Sequence, residues 1–339
     1  MVHLRIVVPS YQAEHALDLL HNTPSVCNLI YLERAARRPE GDVILCDVAR
    51  EDASVIVSDL RELDIDTEGS IAMEEIDSQI SAAAERATRA AEGLAGDAVV
   101  WEEVEARTSE NVELSASFLA FMVLAMLIAA VGIFTDQVIL IIGAMVVGPE
   151  FGPIAGLCVA VVHKRSDVAL RSVKALAIGF PAGITATFLF ALAVDAANLI
   201  PSDFAHEDHP FTQFISSPDE WSFFVAYFAG MAGVLSLTSA KSGALIGVLI
   251  SVTTIPAAAN IGIAAALGDG DEWVGAMEQL ALNLGAIFLA GIGTLFVQRY
   301  LYVRRRRAHL QHGAREIAGL PLGRSRRDAP QSPAPRKAP

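Results

Sequence analysis

One carboxylic acid in an apolar segment has the clearest capacity for chemistry in this sequence. Glu150 lies in the run Gly148-Pro149-Glu150-Phe151-Gly152-Pro153, within the largely apolar residues 138–162. A carboxylate deep in a bilayer is costly unless it is paired, protonated or hydrated, so such residues usually mark a substrate or ion pathway. The sequence therefore predicts a substrate- or ion-binding site at Glu150. The alternative is that the chain here dips close to one membrane surface, where Glu150 reaches water.

The two prolines beside Glu150 predict a break in its helix. Pro149 and Pro153 each lack a backbone donor and clash with the preceding turn, and Gly148 adds local freedom. Peptide groups freed in this way cannot face lipid, so they must be buried in protein or line a polar cavity. We therefore count Gly148, Pro149 and Pro153 with the candidate site.

A later apolar segment repeats the pattern. Pro256 follows Gly247 by nine residues, as Pro153 follows Gly143 by ten, which predicts a second broken helix. Three polar residues of this segment are candidate partners for Glu150: Thr253, Thr254 and Asn260. Kinks that serve packing alone remain the alternative for both segments.

A secondary pair of candidates, Gln279 and Asn283, lies in the last apolar segment. The two residues are one helical turn apart and on one face, so they could extend a polar seam toward the site. Hydrogen bonding between helices explains them equally well.

Six apolar segments are long enough to cross about 30 Å of hydrocarbon. They cover roughly residues 115–134, 138–162, 173–199, 221–240, 243–267 and 274–303. The two predicted breaks fall in the second and fifth segments, which predicts a 3+3 inverted repeat because an odd number of spans inserts the second half upside down. Such repeats carry a site at the bilayer midplane, between their interrupted helices.

The loops between these segments fix the orientation. The loops after the first, third and fifth segments contain no Lys or Arg. The basic residues lie on the other side: Lys164, Arg165, Arg171, Lys174, Lys241, Arg299 and Arg304 to Arg307. Basic loops remain cytoplasmic, so we expect a multi-pass protein of the cell (inner or cytoplasmic) membrane with both termini in the cytoplasm.

The regions outside the spans differ in charge. Residues 1–112 hold 9 Arg, no Lys and 23 acidic residues, which accounts for the entire net charge of −14. An acidic region repels phosphate backbones, so nucleic acid is not an expected partner, whereas a cationic effector or a basic surface is compatible.

The pattern of elements predicts four regions. Residues 1–76 read as an α+β ferredoxin-like domain in the order β-α-β-β-α-β. Residues 77–112 read as a helical connector or elbow, in which Trp101 would lie near the membrane surface, or as a plain solvent-exposed connector. Residues 113–303 form the α-helical polytopic membrane domain, and the basic, Pro-rich residues 304–339 read as a disordered cytoplasmic tail.

Catalysis has no support in the motifs. The sequence contains no nucleophile elbow, phosphate loop or H-E-x-x-H motif, so we expect no enzyme and no cofactor. The spacing of Cys27, Cys46 and Cys158 does not suggest a metal site. Small residues four apart, such as Ala226 and Gly230, offer close-packing faces and make a homo-oligomer plausible.

The Gly143-Ala144-Met145 motif with its two following prolines, the later Gly247 to Pro256 segment and the preceding βαββαβ pattern together resemble the DUF389 family of bacterial and archaeal membrane proteins. The resemblance covers about residues 1–303. Because the function of that family is undetermined, the resemblance implies an architecture and no activity.

Two hypotheses follow from the sequence. In the first, the protein is a secondary transporter or an ion-conducting membrane protein that binds a small molecule or cation between its broken helices, under regulation by the acidic domain. In the second, it is a membrane-anchored sensor or scaffold whose N-terminal domain binds a small ligand or partner without transport.

Overall fold

The structure is a computed structural model that describes residues 1–76, 78–91, 98–200, 218–239 and 244–325, with the backbone alone for 110–111 and 244–253. The chain divides into two compact units. The first contains Met1–Glu103 and Gln298–Pro339, and the second contains Val104–Val297.

The first unit contains a small antiparallel sheet with two main helices. Its elements follow the predicted order: β1 Val2–Val8, α1 Ala13–His21, β2 Val26–Arg37, β3 Glu40–Val48, α2 Arg50–Glu62, the short α3 Ile65–Glu68 and β4 Ser70–Glu75. The strands lie in the order β2-β3-β1-β4. Alternate residues of β1 are buried, which is the period expected of a sheet with one face on a core.

Two further helices follow the sheet. They are α4 Ala82–Ala90 and α5 Trp101–Asn111. Trp101 is only 6% exposed and packs edge-on against Tyr302, so its indole contacts protein rather than lipid or solvent. Its indole packs inside the first unit because Val100 and Ser54 draw the start of α5 onto that unit: Val100 joins the core, and the Ser54 hydroxyl accepts a hydrogen bond from the Trp101 amide.

The segment after the last apolar helix also differs from the prediction. Residues 313–325 were expected to be disordered, but the structure gives a short helix, α13 Gly313–Ile317, and buries Arg315 completely. Ala314, Ala318 and Leu320 pack in the same core as the strands of the first unit. These few apolar residues could not form a core alone, but they complete one supplied by residues distant in sequence.

The second unit is helical. Its helices are α6 Ala116–Phe134, α7 Val138–Val147, α8 Phe151–His163, α9 Ser166–Ala196, α10 Glu220–Thr238, α11 Ala244–Leu267 and α12 Gly270–His309, of which the last continues into the first unit. Among the described residues, four helices are long and apolar enough to cross a membrane, and α7 with α8 makes a fifth candidate if the bent pair is one span.

The two predicted breaks have different outcomes. The break near Glu150 is confirmed, since α7 and α8 meet at 53° across a gap of three residues. The break at Pro256 is wrong, because α11 continues through that proline from Ala244 to Leu267. One proline removes a single backbone hydrogen bond, whereas a full break in an apolar setting would leave several peptide groups to satisfy.

Candidate functional site

The break beside Glu150 follows from local chemistry. α7 ends at Val147, and Gly148 takes an extended conformation (φ −62°, ψ 125°), as expected of a residue that precedes proline. Glu150 then occupies the N-cap position of α8. Pro153 falls in the first turn of α8, where its missing N–H would have had no partner within the helix. The two prolines therefore end one helix and start the next.

Glu150 lies in the interior of the second unit. Its side chain is fully buried, and the Thr254 hydroxyl donates a hydrogen bond of 2.9 Å to Glu150 Oε1. The carboxyl belongs to the N-cap residue of α8, at the positive end of that helix's dipole. The alternative that Glu150 reaches water at a surface is not what the structure shows.

The donor to Glu150 comes from a fully enclosed stretch of α11. Residues 254–264 of α11 are all buried, and α11 packs against α6, α7 and α9. On α9, the Cβ of an alanine at Gly262 would lie 2.6 Å from the carbonyl oxygen of Ile184. Only glycine permits this close crossing, which fixes the position of α11 and hence of Thr254.

The other predicted residues form two further polar pairs. Asn260 is buried, and its amide donates to Glu272 Oε1 at 3.1 Å rather than to Glu150. The Gln279 amide nitrogen lies 3.5 Å from Asn283 Oδ1, and both residues are buried. The structure thus brings Thr254 directly to Glu150, whereas Asn260 contacts the start of α12. The side chain of Thr253 lies outside the described residues.

Glu272 is a site residue that the sequence analysis placed only in a loop. It lies in the first turn of α12, seven residues before Gln279 and eleven before Asn283. That spacing places all three on one face of a helix, since 3.6 residues make a turn. The periodicity could have identified Glu272 if α12 had been predicted to begin at Gly270 rather than near residue 274.

A second buried polar cluster lies in the first unit and contains two acidic residues of α2. Asp59 is fully buried and lies 2.9 Å from His309 Nε2, beside Arg306 and Arg315. Glu62 accepts hydrogen bonds of 2.8 Å from both Arg306 and Arg315. Arg306, near the end of α12, and Arg315 in α13 therefore both pair with α2.

The basic residues of this cluster differ in charge near neutral pH. Burial, with the neighbouring Arg306 charge, lowers the pKa of His309 to about 4, despite the opposing effect of Asp52. His309 is accordingly neutral near pH 7, and the positive charge facing Asp59 and Glu62 comes from the two arginines. These buried ion pairs hold α2 against the end of α12 and the segment around Arg315.

The comparisons with known proteins agree with the resemblance in the sequence. Residues 145–289 match the family described as a domain of unknown function, DUF389, and this stretch contains Glu150, Thr254, Asn260 and Glu272. An uncharacterised protein of Methanocaldococcus jannaschii is 28% identical over 194 residues, which are 57% of this chain and 58% of the relative's length. No solved structure matches the chain.

Proposed function

We propose that this protein is a secondary transporter or an ion-conducting membrane protein whose binding site contains Glu150. The observation that carries the proposal is the fully buried carboxyl at the α7–α8 break, with its hydrogen bond from Thr254. A buried ionisable residue in a membrane segment is costly to keep, and interrupted helices are where transporters bind ions and substrates.

The continuous α11 changes the geometry that the sequence suggested. The site would lie between one broken helix and one intact helix, and the intact helix supplies a hydroxyl instead of freed peptide groups. The 3+3 inverted repeat stays a prediction. With a single break, it rests on the similar spacing of the two Gly–Pro segments alone.

The topology belongs to the same proposal. Counting α11 as a span, with the bent pair as one, gives six spans in the cell membrane with both termini cytoplasmic, as the basic loops predict. We also assign the sheet of the first unit to the ferredoxin-like class, which the strand order β2-β3-β1-β4 supports. Its role would be regulatory. The proposal includes a homo-oligomer and a small-molecule or cation ligand, and no enzymatic activity, cofactor or nucleic-acid partner.

Charge movement in proteoliposomes tests the proposal. The full-length protein is given gradients of H⁺, Na⁺ and K⁺ in turn, and the transient current is recorded. Replacing the carboxylate in Glu150→Gln should lower the current at least about tenfold, since the carboxylate would pair with the bound cation and losing one member of a buried charged pair costs about 2–5 kcal/mol. Thr254→Val should weaken the current, and Thr254→Ser, which keeps the hydroxyl, should retain it.

The matched control is Glu278→Gln, which neutralises an exposed carboxylate of α12. It should leave the current unchanged. A Glu150→Gln protein with wild-type current, or a wild-type protein that gives no current with any gradient, would contradict the proposal.

The sensor or scaffold function remains the second candidate, and one observation favours it. The segment that follows the last span packs into the core of the first unit through Ala314, Ala318 and Leu320, so the domain is built from both ends of the chain. A ligand that stabilises wild-type and Glu150→Gln proteins equally in thermal melting, with no current in either, would support this function.

A further inference from the structure

One face of α12 contains three polar residues: Glu272, Gln279 and Asn283. Seven and eleven residues separate Gln279 and Asn283 from Glu272, so all three lie within about 20° of one line along the helix. The line is about 16 Å long. It begins at the partly exposed Glu272 and ends at Asn283, which is fully buried.

The inner end of this line lies at the depth of Glu150. Thr254 and Asn283 are each 14 residues from the turn that joins α11 to α12, counted from Gly268 and Asp269 respectively. At 1.5 Å per residue, each lies about 21 Å along its helix from the turn, and we therefore expect the two residues at a similar depth. One apolar cluster also joins the start of α8 to α12 at this level: Phe151, Ile154, Leu284, Ala286 and Ile287.

Two buried amide oxygens along the route accept no hydrogen bond from the described residues. Asn260 is 2% exposed and Gln279 is 5% exposed, and within the described part of the chain no donor lies within hydrogen-bonding distance of Asn260 Oδ1 or Gln279 Oε1. A buried carbonyl oxygen without a donor is costly, so a bound cation or another donor at this place would be stabilised by it.

The oxygen atoms along this face favour a cation as the bound species. Carboxylate, amide and hydroxyl oxygens are ligands of hard cations, whereas an amide does not titrate near neutral pH and so cannot pass a proton by itself. The single carboxylate at the inner end balances one positive charge. We propose that Glu272, Asn260, Gln279 and Asn283 form an entry route along which Na⁺, a hard monovalent cation, reaches Glu150.

This inference rests on the proposed function, and it names the ion and its path. Radiolabelled Na⁺ uptake into proteoliposomes that contain the full-length protein tests both. Asn260→Leu and Gln279→Leu, which keep similar volume and remove the oxygen, should each lower the uptake at least about tenfold. Asn260→Asp and Gln279→Glu keep an oxygen ligand and should retain much of it, and Glu278→Gln again serves as the exposed control on the same helix.

A second measurement guards against variants that misfold. Replacing K⁺ by Na⁺ in the buffer should raise the melting temperature of the wild type and of Glu278→Gln, because a bound ion stabilises the folded state. The same exchange should also raise the melting temperature of Asn260→Leu and Gln279→Leu, which keep the site at Glu150, and should not change that of Glu150→Gln.

The outcomes separate the two claims. If both leucine variants keep wild-type Na⁺ uptake while Glu150→Gln loses it, the route is wrong and the proposed function stands. If Glu150→Gln also keeps it, both are wrong. If wild-type protein moves protons in a pH-dye assay but takes up no Na⁺, the choice of ion is overturned.

Discussion

Asp47 on β3 illustrates how individual side chains set the charge of the first unit. It accepts hydrogen bonds from three groups: His3 at 2.7 Å, Asn28 at 2.6 Å and Gln79 at 2.7 Å. Burial alone would raise the pKa of this carboxyl, but the hydrogen bonds, that from Asn28 foremost, outweigh burial and hold the pKa below its usual value. The ionised form is therefore preferred in the folded state.

A pH dependence follows with a definite sign. A carboxyl whose pKa is lower in the folded state stabilises the protein above its unfolded pKa of about 4, and this contribution is lost as the pH falls below that value. We expect Asp47→Asn to destabilise the first unit at pH 6. The difference in stability between the wild type and this variant should become smaller toward pH 3. Melting temperatures of both proteins across this range provide the measurement, and a constant difference would be the contrary result.

At the scale of elements, the membrane segments are positioned by close helix crossings. Gly262 of α11 lies against Ile184 and Thr187 of α9, and Gly230 of α10 lies against the Ile287 backbone of α12. Without a hydrophobic force between helices in lipid, such small-residue contacts supply the packing that holds helices together. The crossing at Gly262 also sets where α11 presents Thr254 and Asn260.

Gly262→Ala should consequently be destabilising although alanine is the better helix former. The added methyl meets backbone atoms of α9 that cannot move aside, so we expect a cost of about 1–3 kcal/mol. Gly285→Ala is the matched control, since a methyl there meets no atom within 4 Å and should be neutral or slightly stabilising. Thermal unfolding in detergent distinguishes them, and equal melting temperatures would refute the packing argument.

At the scale of the molecule, the first unit is assembled from both ends of the chain. Arg315 is fully buried and pairs with Asp59 and Glu62 of α2, more than 250 residues earlier. Pairs buried to this degree are expensive to disrupt, because removing one partner leaves the other charges in place without compensation. The segment is thus part of the folded domain.

Arg315→Met should destabilise the first unit by about 3–5 kcal/mol. Arg307 is exposed, unlike Arg315, so Arg307→Met should change stability little. In Arg315→Met the two carboxylates of Asp59 and Glu62 share the single charge of Arg306, so adding Glu62→Gln restores the charge balance and should recover part of the loss. Chemical denaturation of the four proteins measures these differences, and an Arg315→Met protein as stable as wild type would show that the segment is not part of the core.

The break at Glu150 and the element order of the first unit were predictable from the sequence because both depend on local rules. Two prolines four residues apart beside a glycine favour the end of one helix and the start of the next, and alternation of apolar residues marks strands. The outcome at Pro256 was not predictable in this way. A single proline in a helix is compatible with either a break or continuity, and the packing of α11 among its neighbours determines which one occurs.

Composition alone determined that the chain has several apolar segments of membrane-spanning length, and spacing determined that one of them bends beside a carboxyl. Only the tertiary structure decided that Thr254, 104 residues from Glu150, supplies its hydrogen bond, and that Asn260 faces Glu272. It likewise decided that Arg315 is buried. Sequence patterns report what each segment does by itself, whereas contacts between distant residues depend on how helices cross, which is set by shape complementarity summed over many side chains.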